Sequence, residues 1–145
     1  LAQPLDLPEA LLPPDPAWFL DWTLRNMVRR FDAITPEAFA EYRRAFERDS
    51  VRHAMIEDYR PAAPIDLEHD RHSRDSGQRV SCPLHVLFEE GRFAAGRTPV
   101  EIWRDACSAP VSGQALACGH LMMEEAPEAV LDAIRPFLDL HWAGA

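Results

Sequence analysis

The chain contains no lysine, and all fifteen of its Lys and Arg positions are arginine. Beside abundant alanine and proline, that absence reads as a bias of the coding genome with no chemistry of its own. Cysteine is scarce. Cys82, Cys107 and Cys118 show no CxxC spacing, and their odd number closes no disulfide framework, so reduced thiols and a cytoplasmic setting are expected. No apolar run reaches the roughly 18 residues that a membrane-spanning helix requires. Basic stripes interleaved with aromatics are missing too, and 24 acidic against 15 basic residues give a net charge of -9. A phosphate-tracking groove needs the opposite sign, which excludes nucleic acid as an expected partner. There is no Walker loop, no G-x-G-x-x-G and no G-x-S-x-G elbow. No cofactor is therefore expected, and no nucleophile of the serine-elbow kind.

What is present suits an ordinary soluble core. The length of 145 residues is about one domain's worth, and 47% of them are hydrophobic. The chain opens on Leu1, and LAQPLDLPEALLPPDP begins as if inside a longer protein, so we read the sequence as a fragment. The first fourteen residues, rich in proline, are expected to be irregular. Asp15 and Pro16 then supply a cap and a first-turn proline for a helix over AWFLDWTLRNMVRRF, with Trp18, Phe19 and Trp22 at helical spacing.

Thr35 and Pro36 repeat this signal, and Phe39, Tyr42 and Phe46 mark an apolar face. A third helix starts near Ser50 with Val51, Met55 and Tyr59 in line, and RPAAP ends it. A short fourth covers IDLEHDRHSRD before a turn at Ser76 and Gly77. After that turn, Cys82–Phe88 reads as a buried strand, PVEIWRDACS as a helix and Gln114–Cys118 as a second strand. The last helix starts near Ala126, and Pro136 is expected to kink it or end it early.

This pattern predicts an α/β protein with a helical first half and two parallel strand-helix units in the second. Two parallel strands alone leave faces and edges uncovered, so further strands must come from a partner or from sequence beyond this chain.

Candidate chemistry centres on ALACGHLMMEEAP. His120 follows the last strand, where open parallel sheets place their sites, and Gly119 allows a tight turn beneath it. Spacing alone leaves two readings open, catalytic base and ordinary loop histidine. His69 and His72 form an H-x-x-H pair without further ligands, so no metal is expected there. Tyr59 lies on an apolar helix stripe, for which packing is the default reading. Glu89 and Glu90, like Glu124 and Glu125, are adjacent acids whose side chains diverge, and the second pair suits a helix N-terminus. Cys118 stands too near His120 along the strand to act as its nucleophile.

Read together, LAQPLDLPEALL, ITPEAFAEYRRAF, HAMIEDYRPAAPIDLEHD, CPLHVLF and CGHLMMEEAPEAVLDAIRPFL resemble the C-terminal half of the haloacetate dehalogenases, fluoroacetate-type members included, in the α/β-hydrolase superfamily. The resemblance implies a helical cap over 1–76 and the last two strand-helix units of the hydrolase core over 77–145. It implies hydrolytic dehalogenation of a small haloacid through an aspartyl ester, with His120 as general base and Tyr59 as a donor to the departing halide. By the same resemblance the nucleophilic aspartate and the acid that orients His120 are not in this chain. Arg92 stands near where related epoxide hydrolases carry that acid. The chain alone is then expected to be inactive.

Two other readings are kept. One is an epoxide hydrolase of the same superfamily, with Tyr59 and Tyr42 as candidate proton donors. The other is a non-catalytic product that oligomerises, as a homodimer, through an exposed strand edge.

Overall fold

The computed structural model describes residues 7–12, 15–62, 64–93 and 96–142. These fall into two compact units. One comprises the described residues through Asn26 together with Ile34–Ser76; the other comprises Met27–Ala33 and the described residues from Gly77 onward. No helix is long and apolar enough to cross a membrane.

The first unit is helical. Its elements are α1 (Leu7–Leu11), α2 (Pro16–Met27, its last residue belonging to the second unit), α3 (Pro36–Phe46), α4 (Asp49–Tyr59) and α5 (Ile65–Asp75). The starts of α2 and α3 follow the local chemistry. The Asp15 carboxylate accepts the Trp18 N–H at 2.9 Å, and the Thr35 hydroxyl accepts the Ala38 N–H at 3.2 Å. Gly77, with φ at 76°, makes the turn after α5.

The faces differ from expectation. On α2 the buried residues are Leu20 and Leu24, while Trp18 and Trp22 stack on each other in the open. On α4 the inward pair is Arg52 and Ile56, one position round from Val51, Met55 and Tyr59. Ile56 is fully buried. Arg52 can join it because its guanidinium donates to the Phe46 carbonyl and the Asp49 carboxylate, so the stem is packed while the charge is paired. On α3, Phe46 is buried against Phe19, with rings 5.9 Å apart, and Tyr42 remains partly exposed.

Two boundary expectations fail in this part of the chain. Leu7–Leu11 is helical although the opening was read as irregular; residues 1–6 and 13–14 of that opening lie outside the described residues. Helix α2 stops at Met27 instead of running to Phe31, where a 3₁₀ turn (Phe31–Ala33) begins. The cause is tertiary, because the N–H groups of Arg29 and Arg30 are taken by a side-chain carboxylate.

The second unit holds strands β1 (Leu84–Glu89) and β2 (Val111–Leu116), which pair in parallel from Leu84↔Val111 to Glu89↔Leu116. Helix α6 (Pro99–Ala106) joins them, as a parallel pair requires. Its start carries a complete capping box between Thr98 and Glu101. Helices α7 (Met122–Glu125) and α8 (Pro127–Trp142) follow β2.

Leu116, Cys118 and Val130 form a buried cluster, packed by Leu87, Met122, Ala126 and Ile134. The strands are displaced by a residue or more from their expected spans, and β1 is half-buried throughout where a buried strand was expected. Among the described residues the sheet has two strands, so each keeps an unpaired edge. Pro136 does not end α8, which continues to Trp142. The proline is on the exposed side, where the carbonyl that loses its donor can turn to water.

Candidate active site

The parallel register brings the site together. Glu89 is the last residue of β1 and pairs with Leu116, the last of β2. The chain then runs through Cys118 and Gly119 to His120, so an acid and a histidine leave adjacent strands at their carboxyl ends. His120 Nδ1 lies 3.1 Å from Glu89 Oε1. The Glu89 side chain is only 16% exposed, whereas that of His120 is 53% exposed. An ionised carboxylate offers acceptors only, so the neutral tautomer that suits this contact has its proton on Nδ1 and leaves Nε2 bare. That nitrogen has no partner among the described residues. Arg92 Nη1 donates to the same Glu89 oxygen at 2.5 Å.

No acid was expected beside His120 within the chain; Glu89 stands in contact with it. Local sequence does not single out Glu89, because its neighbour Glu90 is also acidic and only the strand register brings Glu89 to His120. The signal was its position at the end of the strand preceding the histidine's own.

Gly119 is needed for a reason other than a turn. Its φ is not among the positive ones. A Cβ there would stand 2.5 Å from Glu125 Oε1 and 2.8 Å from both the Arg29 nitrogen and the Met27 carbonyl oxygen. The histidine's own N–H donates to that Met27 carbonyl at 2.6 Å. Glu125, expected at a helix N-terminus, lies in the first turn of α7 and is buried. Cys118 is 3% exposed. Burial, joined by the charge of Glu125, pushes its thiol up, so it stays protonated and inert.

Tyr59 belongs to the first unit. It is the final residue of α4, 48% exposed, and its hydroxyl has no partner among the described residues. Packing does not account for it. His69 and His72 lie exposed on α5 and join no ligand cluster among the described residues. Glu9, His53 and Glu57 do cluster, their ligand atoms within 4.8 Å of one another. Arg60 already sits there, however, with Nη2 2.8 Å from both Glu9 oxygens and a further bond to Glu57. Partial burial pushes the Glu9 carboxyl up, but its backbone amide, Arg60 and His53 outweigh that and hold it below the usual range. The guanidinium supplies the positive charge a metal ion would bring.

No known family profile matches the chain. Solved structures do. A variant of a Pseudomonas aeruginosa protein, provisionally described as an epoxide hydrolase, is 48% identical with a TM-score of 0.91, over 97% of this chain and 47% of that one. An α/β hydrolase from Nostoc sp., also provisionally described, is 43% identical with a TM-score of 0.84, over 94% of this chain and 46% of that one. A Salmonella enterica protein provisionally described as an acyltransferase is 36% identical with a TM-score of 0.87, over 97% and 46%. The chain thus spans about half the length of the structures it matches. With a set of helices preceding two parallel strand-helix units, and a histidine at the strand ends, it carries the fold of the C-terminal portion of an α/β hydrolase and belongs to that superfamily.

Proposed function

We propose that the chain supplies the water-activating half of a hydrolase that removes halide from small haloacids through an aspartyl ester. The observation that carries this reading is the Glu89–His120 contact, which leaves Nε2 bare at the carboxyl ends of the strands. In the hydrolytic step Nε2 takes a proton from water as its oxygen attacks the ester carbonyl, and Glu89 steadies the imidazolium that forms. The Tyr59 hydroxyl, exposed and without a partner among the described residues, serves as donor to the halide while charge builds on it. The nucleophilic aspartate is assigned to sequence outside these 145 residues.

A second reading, epoxide hydrolysis, uses the same pair. It is favoured by the description of the 48% identical Pseudomonas protein. Tyr59 would then protonate the opening epoxide oxygen, with Tyr42 as a second candidate.

The test is made on a complete α/β hydrolase carrying this chain as its C-terminal part. Fluoride or chloride release from haloacetate is expected, abolished by His120→Ala. Ring opening of epoxides without halide release would move the assignment to the second reading. The chain by itself is expected to show no turnover above its His120→Ala control.

A further inference from the structure

One buried carboxylate has no part in the chemistry just described. Glu125 ends α7 and is 6% exposed. Its Oε1 accepts the Gly119 N–H at 2.7 Å, and its Oε2 accepts the N–H groups of Arg29 and Arg30 at 2.9 and 3.0 Å. Its backbone carbonyl accepts Arg30 Nη2 at 2.9 Å. A buried negative charge needs such donors, and backbone N–H groups cannot swing aside as side chains do. One carboxylate therefore ties the residue before His120 to a segment from the other end of the chain. That segment in turn offers the Met27 carbonyl to the His120 N–H. The space at Gly119 is closed to any side chain by the same atoms.

We infer that Glu125 is the positioning residue of His120: by holding Gly119 against residues 29–30 it sets where the imidazole stands, and so whether Nδ1 reaches Glu89. This rests on the reading of His120 as a base turned by Glu89.

Nitrogen NMR of the His120 ring in the 145-residue chain reports which nitrogen holds the proton, and amide exchange reports the clamp. In the unaltered chain the neutral ring is expected as the Nδ1–H tautomer, with the Gly119, Arg29 and Arg30 amides exchanging as one group. Glu125→Gln keeps the size but loses the second acceptor oxygen. It should cut Gly119 protection by about tenfold or more and populate both ring tautomers, while the β1–β2 amides are unmoved. Glu125→Asp, which keeps the charge, should restore part of both.

A Glu125→Gln chain whose ring stays wholly in the Nδ1–H form overturns the inference. If the unaltered ring lacks that form, the base reading fails instead, and the clamp is judged on its amides. A Gly119 amide exchanging in the unaltered chain as fast as an open loop overturns the clamp, whether or not any variant folds.

Discussion

At His120 the decisive contact is made by a residue thirty-one positions earlier in the chain, Glu89. Glu89→Gln is expected to lower kcat by about 10²- to 10⁴-fold with KM little changed, in the complete hydrolase, because an amide no longer enforces one tautomer. Steady-state rates check this, and an unchanged kcat would remove Glu89 from the mechanism. The place of His120 after the last strand was legible, since a strand-like run and Gly119 precede it. Glu89 was not, because a strand's last residue meets the loop of its neighbour only through the register. Glu125 does lie in a helix's first turn, as expected, but its burial was not legible for the same reason: its donors at Arg29 and Arg30 are 96 and 95 residues away. A third residue-scale expectation concerns thiols. Cys82 is exposed and Cys118 buried, so maleimide followed by mass spectrometry should find Cys82 modified in the native chain and Cys118 only after unfolding. Equal native rates would contradict the packing around Cys118.

Helix starts were readable in the sequence because a cap is local chemistry: Asp15, Thr35 and Thr98 each stand beside the proline that follows. The best of these is at α6, where the Thr98 N–H donates to Glu101 Oε2 at 2.7 Å and the Thr98 hydroxyl accepts the Glu101 N–H at 3.3 Å. The Thr98 backbone amide first, and its hydroxyl second, hold the Glu101 carboxyl below its ordinary 4.5. A carboxyl lowered by folding adds stability that is complete above that ordinary value and is lost as pH falls through the folded one. Thr98→Ala is accordingly expected to lower Tm by about 4 °C near neutrality, and the difference from the unaltered chain should shrink on acidification below 4.5. Melting curves across pH test both. Helix ends and faces were less legible. The halt of α2 at Met27 is set by a carboxylate far along the chain, and the inward turn of Arg52 on α4 by the Phe46 carbonyl and Asp49. Neither leaves a trace in local periodicity.

For the whole molecule, composition and the order of elements were enough to suggest two parallel strand-helix units following helices, while the division into units was only partly visible. The second unit takes in Met27–Ala33 from the middle of the helical half, and nothing in the residues 27–33 marks them as belonging elsewhere. The half-buried β1 and the open strand edges favour self-association of the chain when it stands alone. Size-exclusion with light scattering should therefore find a species larger than the 16.4 kDa chain; a well-folded monomer would count against this. The borrowed segment also bears on the order of folding. Joining Arg29 to Glu125 closes a loop of 96 residues, for which loop entropy alone asks about 4 kcal/mol before any bond is gained. Contacts of such span form late and slow a chain's folding. The His120 loop thus acquires its backbone geometry near the end of folding, after the two strands that precede it have paired.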